Sequence, residues 1–219
     1  MYPGRVTDRD VCLGWIHGGS IRAEFMESVL TLLDTTDLVG RYVTFSAGTH
    51  LAAARNAIAG MFLDGGPETW LWMVDTDIAF SPDVLKQLLD TADEARPVVS
   101  GLYWTTSQGG LPLVPMLYDR APDADREFTP CSGWHPGDVI RIGGCGAGCL
   151  LIHRGVLAAI QRDENDRPSW FSEIRGDDGR LYGEDLSFCL RATAAGIPLH
   201  ADTGAQAGHV KPVILGVTG

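Results

Sequence analysis

Lysine is nearly missing from this chain of 219 residues: it stands only at Lys86 and Lys211, and the other basic side chains are arginines. With 28 acidic against 17 basic residues the net charge is −11. That argues against a broad nucleic-acid footprint or an anionic-membrane surface, both of which need clustered positive charge, and leaves room for a local basic site. No apolar run approaches the roughly 20 residues of a membrane span, so no membrane partner is expected. Residues 1–10 are polar without an apolar core, so no secretory signal is expected either. Cysteine is sparse and odd in number. The five thiols lack a disulfide-rich spacing, which makes reduced cysteines in a cytoplasm the expectation. What is present, 45% hydrophobic and 21% charged residues, suits one globular domain over residues 1–219 with a sizeable core.

The hydrophobic pattern of the first half alternates between two periods. Val11 to Ile16 reads as a strand ending in His17-Gly18-Gly19-Ser20, and Phe25, Met26, Val29, Leu30 and Leu33 then recur at helical spacing. A second strand, Tyr42 to Phe45, precedes a helix carrying Leu51, Ala54, Ile58, Met61 and Phe62 on one face. Trp70 to Val74 is apolar throughout, as in a strand buried on both sides. Ser81-Pro82-Asp83 combines a capping hydroxyl, Pro at the first helical position and an acid in the first turn. Val98 to Trp104 is a fourth strand. Strand and helix thus alternate three times, which predicts an α/β fold with a doubly wound, mostly parallel sheet.

The second half changes character. Leu113 to Tyr118, Val139 to Ile142 and Gly148 to His153 read as strands, Asp119 to Gly137 as a polar loop, and Trp170 to Ile174 as a short strand. Gln161 to Pro168 is the candidate mobile loop. Gly183-Glu184-Asp185 opens an amphipathic helix closed by Gly196. Pro198 to Ala201 and Ala205 to Val210 are short extended pieces. A smaller antiparallel region is expected here.

Several residues admit a chemical and a purely structural reading. Asp75 and Asp77 follow the apolar strand, where ligands bind in open α/β sheets, and residues two apart in an extended segment point the same way. Two hard carboxylates suit Mg²⁺ or Mn²⁺ and a diphosphate; they also suit an ordinary turn. Arg55 falls inside an apolar stripe, at about 100° per residue, and either snorkels to a helix edge or meets a ligand beside the third strand. Glu184 and Asp185 either complement a helix dipole or supply a general base. His209 is either a satisfied structural imidazole or a ligand. The four glycines within residues 143–148 demand close backbone approach, to a sugar or to a neighbouring strand. Cys131-x3-His135 and Cys145-x3-Cys149 provide zinc-ligand types at loose spacing, or buried thiols.

Taken together, Asp75-Thr76-Asp77, Gly183-Glu184-Asp185-Leu186-Ser187-Phe188-Cys189 and a later His209 resemble the GT-A-fold nucleotide-sugar glycosyltransferases. Leu51-Ala52-Ala53-Ala54-Arg55-Asn56 is similar to their helix before the Asp-x-Asp motif, and Gly146 to Ile152 to their acceptor-lining strand. The resemblance runs from about Val11 to Lys211. It implies a donor half over about residues 11–104 and an acceptor half over about 105–219. It implies Mn²⁺ or Mg²⁺ on Asp77 and His209, with Asp75 touching the metal or the ribose. Trp15 to Gly19, with Trp15 and His17, would hold the base, and Arg55, Asn56 and Thr76 would line the nucleotide sugar. Asp185, with Glu184 beside it, would face the acceptor hydroxyl. Trp104, Gly146 and Trp170 are candidate acceptor contacts, an aromatic face stacking well on a sugar. The loop Trp15-Ile16-His17-Gly18-Gly19 departs from the common first-strand pattern, which leaves the base, UDP or GDP type, open. The activity implied is metal-dependent sugar transfer to an acceptor hydroxyl on a glycan, a protein or a modified nucleic acid.

Rival readings are a phosphatase of the haloacid dehalogenase type, a nucleotidyltransferase making sugar nucleotides, and a non-catalytic nucleotide-sugar-binding module. The first normally carries its motif on the first strand. The second wants a basic Gly-rich phosphate loop that His17-Gly18-Gly19 does not provide.

Overall fold

A computed structural model describes residues 9–48, 50–106, 111–121, 127–160, 169–176 and 179–212. The candidate mobile loop, Gln161 to Pro168, lies outside them. The first half runs β1 (Val11–His17), α1 (Ala23–Thr35), β2 (Val39–Ser46), α2 (Leu51–Gly65), β3 (Trp70–Val74), the two-residue β4 (Ile78–Ala79), α3 (Pro82–Thr91) and β5 (Val98–Leu102). The expected first-half alternation is present. Pro82 and Asp83 open α3, but the Ser81 side chain makes no capping bond, contrary to the expectation from its hydroxyl.

The second half contains the short hairpin β6 (Trp104–Thr106) and β7 (Leu113–Pro115), then β8 (Leu117–Arg120), β9 (Phe128–Pro130), β10 (Val139–Ile142), β11 (Gly144–Cys145), β12 (Cys149–His153) and α4 (Arg154–Ala159). It ends with β13 (Ile174–Arg175), β14 (Leu181–Tyr182), α5 (Glu184–Ala194), β15 (Leu199–Gln206) and β16 (Gly208–His209). The apolar run 113–118 is two strands in different sheets, because Met116 donates its N–H to Tyr103 O between them. Trp170 lies in a turn, so the strand expected at 170–174 is reduced to its end. α5 closes on Gly196 at φ +76°, with Gly196 N–H donating to Thr193 O and Ile197 N–H to Ala192 O. That pairing satisfies carbonyls which helix ends otherwise leave open.

The central sheet has seven strands in the order β10-β15-β5-β12-β3-β1-β2. It is mixed, which corrects the expectation of a mostly parallel sheet. β1 pairs parallel with β2 and β3, and β15 with β5, while β12 runs antiparallel to both β3 and β5 and β10 antiparallel to β15. The physical reason lies in β12. It is buried at every position, and a strand flanked on both sides shows a continuous apolar run whichever way it points. Its insertion between β3 and β5 also interleaves the two halves in one sheet.

Side-chain alternation along the strands feeds two cores, one on each face. Val11, Leu13, Trp70, Trp72, Val99 and Leu151 pack with α1 and α3. Cys12, Leu71, Met73, Val98, Leu150 and Ile152 pack with α2, α4 and α5. At Gly14 a Cβ would lie 2.7 Å from Ile58 Cγ2, so α2 rests directly on β1. That contact sets the start of α2 beside the C-terminal ends of β1 and β3. Small antiparallel sheets flank the main one: β11-β8-β9, β13-β14, β6-β7 and β16-β4. Among the described residues no helix is long and apolar enough to cross a membrane.

Candidate active site

A cleft of about 220 Å³ opens where β1 and β3 end, lined by Ile16, His17, Gly18, Arg55, Asp75, Thr76 and Asp77. β3 delivers the two aspartates. Asp75 donates its backbone N–H to Gly148 O and accepts from Ile78 N–H, a tight turn that fixes both carboxylates at the strand end.

Asp77 is reached from the other end of the chain. β16 pairs antiparallel with β4, setting His209 opposite Ile78. His209 Nε2 then lies 3.1 Å from Asp77 Oδ2, across 132 residues of sequence. Lys211 Nζ donates to the same oxygen at 2.8 Å, and Val210 N–H to Asp77 O at 2.8 Å. Burial works to raise the Asp77 pKa, but the bonds from His209 and Lys211 prevail and hold it at about 2. The imidazole is oriented by its other nitrogen, Nδ1, 2.8 Å from Trp104 O. A carbonyl only accepts, so Nδ1 carries a proton. The other ring nitrogen, Nε2, is thereby aimed at the Asp77 carboxylate. Tyr103 stands edge-on to the ring at 5.5 Å between centroids.

Asp75 is not part of that contact. Both its oxygens face Arg55 Nη2, at 3.0 and 3.2 Å, and Arg55 Nε donates to Glu184 Oε1 at 3.3 Å. The arginine that the helical pattern placed in an apolar stripe is buried, its side chain 7% exposed, and it bridges β3 to the first turn of α5. Burial disfavours its charge, yet Asp75, Glu184 and Asp185 outweigh burial and the pKa stands above its ordinary value. Among the described residues Asp185 has no cation of its own. Its Oδ1 accepts from Leu186 N–H at 2.8 Å. Burial first, then the charge of Glu184, raises its pKa above the usual carboxylate range.

Other candidates are placed differently. Asn56 faces the 169–172 turn, accepting from Phe171 N–H at 2.9 Å and donating to Ser172 Oγ at 3.2 Å. Trp15 packs on Phe25 and Tyr42 in the core under α1. Trp170 is buried and donates Nε1–H to Leu157 O at 2.7 Å. Trp104 lies 6.0 Å from Trp134, and its carbonyl serves His209. A Cβ on Gly146 would collide with the Tyr103 hydroxyl, and one on Gly148 would meet Tyr103 and Asp75 Oδ2. The glycine-rich segment is therefore a neighbour-packing device beside the site. The cysteines do not converge: Cys131 Sγ donates to Asp119, Cys145 faces Cys189 at 4.0 Å, and His135 is exposed. Among the described residues no three His, Cys, Asp or Glu side chains form a group able to hold a metal by themselves. Lys211 and Tyr103 were missed by pattern. The only signal for Lys211 was its rarity and its place two residues after His209.

Fold and site together define an α/β protein with a charged cleft at the strand ends of a mixed sheet. The structure is similar to that of A197 from STIV, at a TM-score of 0.59 and 18% identity, covering 95% of this chain and 98% of that one. That likeness concerns the fold. A glycosyltransferase involved in the glycosylation of the major capsid of PBCV-1 aligns at a TM-score of 0.39 and 12% identity over 68% of this chain and 61% of that one. No family model matches the sequence, and no curated protein matches it.

Proposed function

We propose that this protein is a GT-A-like glycosyltransferase that moves a sugar from a UDP- or GDP-type donor to an acceptor hydroxyl with Mn²⁺ or Mg²⁺. The observation that carries the reading is the contact of Asp77 with His209, at 3.1 Å, in a cleft at the ends of β1 and β3. Mg²⁺ or Mn²⁺ is held by one or two carboxylates together with substrate phosphates and water rather than by a full protein cage, and Asp77 would be that carboxylate, with the His209 imidazole beside it. A cation bound there stabilises the negative charge that builds on a departing diphosphate. Asp77 and His209 would hold it.

The rest of the reading assigns this chain's own groups. Arg55 neutralises Asp75 and steadies Glu184, and the donor lies along His17, Thr76 and Asp77. Asp185, whose environment makes it a stronger base than an ordinary carboxylate, faces the acceptor hydroxyl. In an inverting transfer it takes the hydroxyl proton while oxygen bonds to the sugar carbon and the nucleoside diphosphate leaves with the bonding pair.

The test is release of nucleoside diphosphate from UDP- and GDP-sugars with Mn²⁺. Release that vanishes in Asp77→Ala and His209→Ala and persists in the surface control Asp83→Ala supports the reading. Absence of metal-dependent nucleotide-sugar binding overturns it.

A further inference from the structure

Asp77 already carries a cation of the chain's own. Lys211 Nζ donates to its Oδ2 at 2.8 Å, the same oxygen that His209 Nε2 faces at 3.1 Å. We infer that Lys211 is a tethered stand-in for the divalent ion, which keeps a bare cation off Asp77 and makes entry of the ion conditional on the nucleotide that accompanies it; this rests on the transferase reading above.

Neighbouring ligands of an octahedral ion with bonds of about 2.1 Å stand about 3.0 Å apart, close to the 3.1 Å between Asp77 Oδ2 and His209 Nε2. An ion seated on both atoms takes the oxygen that the ammonium occupies. Two like charges on one oxygen repel strongly at that range, so ion and ammonium exclude each other. Charge along the cleft points the same way. Both oxygens of Asp75 face Arg55, which also holds Glu184 through Nε. With Lys211 on Asp77, each carboxylate of the Asp-x-Asp pair is matched by a basic side chain. A bare Mn²⁺ therefore meets no uncompensated charge at either aspartate and has to displace an ammonium to gain one. A nucleoside diphosphate changes the sum, because its phosphates bring the negative charge that ion and ammonium together require.

The two groups on Asp77 are also held differently. His209 is fixed by the pairing of β16 with β4 and by Trp104 O on Nδ1, and the next residue donates its N–H to Asp77 O. Its side chain is 13% exposed, whereas that of Lys211 is 44% exposed, on a flexible four-carbon stem. Rotation of that stem alone frees Oδ2, and the imidazole and the backbone stay in place.

Mn²⁺ binding to the full chain, measured by electron paramagnetic resonance and calorimetry with and without UDP or GDP, tests this. In the unaltered protein Mn²⁺ alone is expected to bind weakly, and nucleotide to tighten it tenfold or more, on the order of the usual coupling between sites. Lys211→Met keeps the stem and drops the charge. It is expected to bind Mn²⁺ alone about tenfold more tightly and to lose about that much of the coupling to nucleotide. Lys211→Gln is expected to follow Lys211→Met, and Lys211→Arg to keep the weak binding of the unaltered protein. Acetylation of folded Lys86→Arg protein, in which Lys211 is the remaining lysine, neutralises the same ammonium without refolding and is expected to give the same tightening. Mn²⁺ affinity that loss of the Lys211 charge leaves unchanged or weakens, in a protein that binds UDP or GDP with Mn²⁺, overturns the inference while the transferase reading stands. Tightening that survives Asp77→Asn in the Lys211→Met background is binding elsewhere and overturns it too. Tightening that Asp77→Asn removes, in a protein that binds neither UDP nor GDP with Mn²⁺, leaves Lys211 as the guard of a cation site and overturns the transferase reading. Absence of Mn²⁺ binding to every form, with or without nucleotide, overturns both.

Discussion

Arg55 keeps its charge in the core because three carboxylates surround it, and its removal leaves Asp75 and Glu184 facing each other uncompensated. Breaking a buried pair in this way typically costs about 3–5 kcal/mol. The Asp75 side chain is 30% exposed and screened by water, so Arg55→Ala is expected to cost less than that, about 2–3 kcal/mol, read by denaturant titration. Asp185 presents the opposite balance. Its folded pKa is raised, so ionisation opposes folding at neutral pH and the protonated form favours it. Asp185→Asn should therefore abolish transfer while raising Tm by a few degrees, as active-site carboxylates often do when neutralised. A base is active when deprotonated, so activity falls as pH drops through this pKa, above the usual carboxylate range. Glu184→Gln removes a charge that raises it and should move the acid limb of kcat/KM to lower pH. The contacts of Arg55 were only half readable in the sequence. The helical period put Arg55 in the buried stripe, but its partners lie 20 and 129 residues away, beyond any local pattern.

At the scale of elements, the site depends on close backbone approach. The glycines at 146 and 148 let β11 and β12 pass Tyr103, whose hydroxyl accepts from Gly148 N–H at 3.1 Å. Gly146→Ala has no room against that hydroxyl. Overpacking of this kind costs about 1–3 kcal/mol, and because Tyr103 abuts His209, loss of Mn²⁺-stimulated nucleoside diphosphate release should accompany the lower Tm. β3, α3 and α5 were legible because their periodicity or end signals are strong. The direction of β12 was not, since an interior strand's apolar run carries no sense. β16 was not either: two residues of ladder hold no pattern, yet they bring His209 to Asp77.

At the scale of the molecule, a net charge of −11 would repel the anionic donor of the proposed reaction. Donor binding should therefore depend on added divalent cation. UDP with Mn²⁺ at a hundredfold excess over Kd should stabilise the fold by about 2.7 kcal/mol, and UDP with chelator by much less. Thermal unfolding with each addition measures this, and an equal shift with chelator present would count against a metal-dependent donor site.

Composition and periodicity by themselves determined an acidic α/β domain with a strand–helix repeat, an Asp-x-Asp motif at a strand end and a carboxylate pair opening a late helix. These are local properties, written in neighbours a few residues apart. Tertiary structure alone decided that β12 enters the sheet antiparallel, that Arg55 binds Asp75 and Glu184, and that His209 and Lys211 reach Asp77. Each depends on segments far apart in the chain meeting through packing and a few hydrogen bonds, and no local period encodes such a meeting.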